Sequence, residues 1–196
     1  GRARGEEARR QDPEPRRGVR VSLLAKVAGA LETRRTPFAV VGGVALAVRG
    51  VARSTFDVDL MTTDGAVLTD AYWFLLSRDG AQVEIRRGDG DDPLRGLVRL
   101  VSRDERPVDV FVGRGAWLDG VLKRAEPFAL LDVRVPVVRA ADLVLLKLHA
   151  GGTQDLWDVR QLLDGDASGD LAFEVEPRLA EAPRNAAIAW KRVRAA

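Results

Sequence analysis

The sequence predicts a mixed α+β domain, and three observations predict it. Apolar stripes of helical period alternate with short strand-like runs. Several of those runs are hairpin-like, and two are joined by pure turn chemistry. The 196 residues are 46% apolar and 31% charged, a globular balance. A chain of that length buries roughly 70% of its unfolded surface, so it has a core to build on.

The elements follow in order. Gly1 to Gly18 is polar, Arg-rich and Pro-containing, and reads as a disordered tail over 1–18. Ser22 then caps an amphipathic helix with Leu24, Val27, Ala28 and Leu31 on one stripe, stopped by Pro37. Phe38–Val41 is a short buried strand running into Gly42-Gly43, and Val44–Val48 is a short apolar helix closed by Gly50. Thr55–Met61 alternates as a strand, with Phe56, Val58 and Leu60 directed to the core. Asp70–Arg78 is helical. Gln82–Arg87, Leu97–Ser102 and Val108–Val112 are strands, the first two joined by a turn over Gly88–Pro93. Trp117 to Leu122 suggests a helix, and Phe128–Val138 reads as one strand. Ala140–His149 and Gln154–Leu163 are consecutive helices split by Gly151-Gly152, with Trp157 expected in the core. The last thirty residues carry a weaker helical pattern near Asn185–Val193, interrupted by Pro177 and Pro183.

Composition removes several classes of function. With no cysteine there is no disulfide scaffold, thiolate metal site or thiol nucleophile. With one histidine, His149, a metal must be held by carboxylates, which selects hard cations such as Mg²⁺. Net charge is +2, but residues 1–20 hold seven Arg and four acids, so the rest of the chain is near neutral and is no nucleic-acid footprint by itself. The longest apolar run, Phe38 to Val48, has 11 residues, short of the ~18 of a membrane span. The charged N-terminal segment has no apolar stretch behind it, so the expectation is a cytoplasmic protein with no membrane partner.

The stretch that carries chemistry is Gly42-Gly43, thirteen residues, then Asp57-Val58-Asp59-Leu60. Side chains two apart on a strand share a face, about 6.5–7 Å apart. Asp57 and Asp59 therefore repel each other beside an apolar core, and a divalent cation relieves that repulsion. Pro107-Val-Asp-Val-Phe-Val112 offers a third carboxylate, Asp109, opposite a valine face, as a metal ligand or base. Three carboxylates on neighbouring strands suit two metal ions ~3.5–4 Å apart, the arrangement of phosphoryl transfer. The glycine turn bares N–H groups that can cradle phosphate.

These residues resemble the nucleotidyltransferase superfamily of DNA polymerase β. The match is Val41-Gly42-Gly43, then Asp57-Val58-Asp59-Leu60, with Asp109 in the position of the third carboxylate. Arg53-Ser54-Thr55-Phe56-Asp57 looks like the Arg-x-Thr-x-Asp lead-in of the AbiEii-like branch. Leu146-Lys147-Leu148-His149-Ala150 and Gln154-Asp155-Leu156-Trp157-Asp158 are similar to its Lys-x-x-Ala and Asp-x-x-Asp helices. Gly151-Gly152-Thr153 departs from it, standing where that branch often has an arginine. The resemblance spans roughly residues 36–164.

It implies a twisted mixed sheet with flanking helices, a nucleotidyltransferase core over 19–138, and a helical C-terminal part over 139–196 packed on it. It implies transfer of a nucleotidyl group from an NTP to a hydroxyl acceptor, dependent on Mg²⁺ or Mn²⁺. Asp57, Asp59 and Asp109 would hold metal, and these three with Lys147 would be catalytic. Gly42, Gly43, Arg53, Thr55, Lys147 and Asp158 would serve the nucleotide. The acceptor would be a tRNA end or a protein, with the chain as the toxin of a toxin–antitoxin pair and an antitoxin as partner. The alternatives are a small-molecule, antibiotic-modifying nucleotidyltransferase, or a non-catalytic binding module on this fold.

Other residues have plainer readings. Asp155 suits a helix N-terminus, or joins Asp158 in orienting Lys147. His149 reads as a packing or surface residue. Asp164–Asp170 starts like a calcium loop, but its twelfth position is Val175 in place of a glutamate.

Overall fold

The computed structural model describes residues 21–195. The expected tail over 1–18 lies outside the described residues. Ser22 opens the first helix, α1 (Leu23–Thr33), its hydroxyl accepting from the Ala25 N–H at 3.1 Å. Leu23, Leu24, Val27, Ala28 and Leu31 are buried, as the stripe predicts. The helix ends before Pro37, where Arg35 turns left-handed (φ 56°) and Thr36 N–H bonds back to Leu31.

Strand β1 (Ala39–Val40) leads directly into helix α2 (Gly42–Val48). The glycine pair is thus the first turn of that helix, not a loop before it. Strand β2 (Val58–Thr62) is followed by a 3₁₀ turn over Gly65–Leu68, helix α3 (Asp70–Arg78) and strands β3 (Gln82–Arg87), β4 (Leu94–Val101) and β5 (Val108–Gly113). Helix α4 (Trp117–Arg124) precedes strands β6 (Glu126–Leu130) and β7 (Val133–Val137). The run read as one strand over Phe128–Val138 is therefore a hairpin, turned at Leu131 with φ 54°. Four helices complete the chain: α5 (Ala140–Ala150), α6 (Thr153–Asp164), α7 (Asp170–Arg178) and α8 (Arg184–Ala195).

The strands form one seven-stranded mixed sheet in the order β3-β4-β5-β2-β1-β7-β6. The pairs β2–β5 and β1–β7 are parallel, and the other four are antiparallel. The inner strand β5 is apolar on both sides except for Asp109, as a strand paired on both edges must be. Val58, Leu60, Val108, Val110, Val98 and Leu100 alternate into the core, and α1 contacts β5 and β7. Helix α5 is apolar nearly all round because it packs against α2, α6, α7 and α8. No helix among the described residues is long and apolar enough to cross a membrane.

Three expectations are corrected. Phe56 is 75% exposed, because the chain joins β2 only at Val58 and the strand alternation does not yet apply to it. Trp157 is 47% exposed: α6 turns Asp158, Val159 and Leu162 inward and leaves Trp157 on the far side. Helix α7 was hidden by Pro177, which falls in its last turn on the side of the exposed Phe173. The calcium-like loop is its cap. Asp166 accepts from the N–H of Leu171 at 2.8 Å and the hydroxyl of Ser168 at 2.7 Å, and these bonds hold its carboxyl below the usual range.

Candidate functional site

The parallel pairing of β2 with β5 sets Asp59 directly beside Asp109 in register. Neighbours in register share a face, so both carboxylates emerge on the side opposite the valine core. Asp57 precedes β2 and joins them: Asp57, Asp59 and Asp109 bring carboxylate oxygens within 4.8 Å of one another. Thr55 orients Asp57, donating its hydroxyl to the Asp57 carbonyl at 3.0 Å and carboxylate at 3.2 Å.

The electrostatics are strained. Burial, with repulsion from Asp57 and Asp109, pushes Asp59 up to about 6, against an opposing Gly43 N–H bond and the Lys147 charge. Asp109 is also raised, mainly by burial, with Arg99 opposing. The Asp109 Oδ1 atom is buried without a hydrogen-bond partner among the described residues. A crowded acid cluster with an orphaned oxygen fits a hard divalent cation.

Gly42 and Gly43 are required by this cluster. Gly42 has φ 61°, and a Cβ there would collide with the Asp59 carboxylate. A Cβ on Gly43 would lie 2.9 Å from Thr55 Cβ. The glycines thus let α2 approach both aspartate-bearing segments. Gly42→Ala should destabilise the fold by about 1–2 kcal/mol from the left-handed backbone alone. It should also weaken Mn²⁺ binding by displacing Asp59; a variant with unchanged melting and unchanged Mn²⁺ calorimetry would refute this.

Lys147 reaches the site from α5. Its ammonium bonds Asp155 and Asp158 at 2.8 Å each. Asp155 also accepts from the Gly152 N–H at 3.3 Å, so it caps α6 and holds the lysine at once. Asp158 is fully buried, and it also takes Arg53 and, at 3.1 Å, Gln154. Arg53 therefore ties the segment before Asp57 to α6, and Asp158 holds both Lys147 and Arg53. His149 stacks edge-on against Trp117 at 5.5 Å and faces Asn185 at 3.0 Å, a packing residue as expected.

One residue escaped the sequence reading. Arg99 of β4 pairs in register with Asp109, and its guanidinium lies 2.7 Å from Asp109 Oδ2 and 3.8 Å from Asp57. Its only sequence signal is a charge at an alternating position of a strand, which is common on any surface. Where it stands it offsets the acid charge that would attract a metal. Arg99→Gln should raise Mn²⁺ affinity about tenfold at pH 8, where the acids stay ionised. Unchanged affinity in a calorimetric titration would show that the guanidinium does not compete.

No protein-family model matches the chain, and no curated protein matches it. Solved structures do. The crystal structure of ANT(2")-Ia in complex with adenylyl-2"-tobramycin aligns at TM-score 0.50 and 13% identity, over 81% of this chain and 95% of that one. The solution structure of the antibiotic-resistance factor ANT(2'')-Ia aligns at TM-score 0.50 and 15% identity, over 87% and 95%. A Thermotoga maritima protein designated a nucleotidyltransferase aligns at TM-score 0.49 and 15% identity, over 72% and 91%. Likeness at such identities speaks for architecture alone. With its seven-stranded mixed sheet and flanking helices, this chain has the nucleotidyltransferase fold.

Proposed function

We propose that the protein is a divalent-metal-dependent nucleotidyltransferase that moves a nucleotidyl group from an NTP to a hydroxyl acceptor. One observation carries this reading: Asp59 and Asp109 stand in register with Asp57 beside them, and a buried Asp109 oxygen lacks a partner among the described residues. Asp57, Asp59 and Asp109 are the residues that would hold Mg²⁺ or Mn²⁺. Such a cation, when bound, supplies charge neutralisation at the phosphates and a more acidic attacking hydroxyl.

The chain's own residues do the rest. Lys147, held by Asp155 and Asp158, presents one fixed positive charge to the triphosphate. Gly42 and Gly43 let the phosphates approach the backbone. Arg53 and Thr55 keep the approach to Asp57 in place. Asp109, raised above the usual carboxylate range, accepts the proton from the acceptor hydroxyl. The acceptor oxygen bonds to the α-phosphorus, the bond to the bridging oxygen of the β-phosphate breaks, and pyrophosphate leaves.

The acceptor class follows from the sequence resemblance: a tRNA end or a protein, in a toxin restrained by an antitoxin. A small-molecule acceptor is the second reading, favoured by the fold neighbour bound to adenylyl-2"-tobramycin. The test is incubation with α-labelled NTPs and Mg²⁺ or Mn²⁺ in the presence of bulk tRNA, a protein extract or small hydroxyl compounds. Label should enter one pool with release of pyrophosphate. Absence of metal-dependent NTP binding would overturn the reading.

A further inference from the structure

A cavity of about 450 Å³ opens beside Asp59 and Gly42 and runs between the sheet and α5 toward Trp117 and His149. Its size is that of a small-molecule site. Met61 and Phe111, register partners on β2 and β5, form its floor. Trp117 and Leu118 of α4 and Leu143 and Leu146 of α5 form its walls. Two glycines make the walls close. A Cβ at Gly113 would collide with Leu118, and Gly115, at φ 105°, would carry one 2.9 Å from the Trp117 ring.

The charges at its border are few and mostly spent. Lys147 and Asp155 neutralise each other at 2.8 Å. Asn185 and His149 bond one another, the Asn185 amide also donating to the His149 carbonyl at 2.8 Å. Arg114 donates to the Asp89 carbonyl at 2.9 Å, but its Nε is buried without a partner among the described residues. Among the described residues Asp59 is left as the one lining acid outside an ion pair, and the cation site has first claim on it.

A polyammonium ligand entering this space would shed hydration from several charges and, once a divalent cation holds Asp59, find no free acid among the described lining residues to receive them. An uncharged ring loses only ordered water from its faces and gains aromatic and aliphatic contact on three sides.

We propose that this cavity receives an uncharged, largely apolar ring body whose polar end reaches Asp59, and that it rejects polycations. The ring has two possible sources: the nucleobase of the NTP, or the ring of a neutral acceptor. The role of the ring in transfer rests on the proposed function, whereas its binding does not.

The test is calorimetry on the full chain in saturating Mn²⁺ with adenosine, 2-naphthol and tobramycin as probes, and separately with Mn²⁺ plus tripolyphosphate. The wild type should bind adenosine or 2-naphthol and ignore tobramycin. Leu146→Arg, which puts a charge into the wall, should weaken ring binding at least tenfold. If Leu146→Arg does not fold, Ala150→Trp closes the mouth from an exposed position and decides the matter. A nucleobase seat requires that adenosine displace 2-naphthol and that ATP with Mn²⁺ exceed tripolyphosphate, an excess lost in the variant. An acceptor seat requires that 2-naphthol and ATP bind together.

The proposal is overturned if neither ring binds, if ring binding survives both variants, or if tobramycin binds the wild type and not the variants. Loss of Mn²⁺–tripolyphosphate binding with ring binding intact overturns the transferase reading alone. The converse overturns the cavity proposal alone.

Discussion

Asp59→Asn is expected to lower nucleotidyl transfer by about 10³-fold or more while raising the melting temperature of the metal-free protein at pH 8. The two effects share one cause. Asp59 sits among Asp57 and Asp109 with its pKa pushed up to about 6 from 3.8, first by burial and then by those two charges. A carboxyl raised in the folded state favours folding most below its unfolded pKa, and that stability is lost as pH rises through about 6. At pH 8 the ionised group therefore opposes folding, and asparagine removes the charge without removing volume. The gain should be about 1 kcal/mol, discounted from the full shift because the group is only partly buried.

The same titration governs the cation. Mn²⁺ needs ionised ligands, so its affinity should fall as pH drops through about 6. Calorimetric titrations and thermal melts at pH 5 and pH 8 read both effects. Wild-type transfer by Asp59→Asn would sink the metal assignment, and unchanged melting at pH 8 would show that the acid cluster is not strained.

Lys147→Met is expected to weaken transfer at least 10²-fold and also to destabilise the protein by about 3 kcal/mol. An unpaired lysine on an apolar helical stripe would be costly to bury, and removing its charge would then stabilise the fold. The structure shows why that reverses. The ammonium side chain is 14% exposed and bonds two carboxylates, and Asp158 is fully buried. Burial pushes the Asp158 carboxyl up, but bonds from Lys147 and Gln154 and the charges of Lys147 and Arg53 outweigh it, so it ends below the usual range.

A lowered carboxyl stabilises the fold above its unfolded pKa, and that contribution fades as pH falls through its folded value. Acid denaturation of the wild type should thus include a loss that Lys147→Met lacks. The double variant Lys147→Met/Asp158→Asn separates structure from chemistry. It should recover part of the melting temperature and none of the transfer. Transfer at the wild-type rate in Lys147→Met would mean that the lysine serves the fold only.

Local pattern determined much of this protein. Helix α3, strand β3 and the starts of α1 and α5 are written in apolar spacing, and Ser22 and Gly151 mark their ends. Asp59 was legible as an acid between Val58 and Leu60 on a strand, whereas Asp57 lies before β2 and reaches the cluster from the preceding bend. Where the pattern was read past the end of an element it misled: Phe56 lies before β2, and Leu131 turns one apparent strand into two. The helix α7 was masked by Pro177, whose cost depends on its place in the last turn.

Tertiary structure decided what the site is made of. Parallel pairing across about fifty residues of chain put Asp109 beside Asp59, and an antiparallel neighbour brought Arg99 to both acids. The cavity exists only because β2, β5, α4 and α5 meet with glycines at 113 and 115 between them. Hydrophobic period sets which face a residue occupies, and it is carried by neighbours in sequence. Register and cavity shape arise from contacts between distant segments, and nothing in the local pattern encodes which segments will meet.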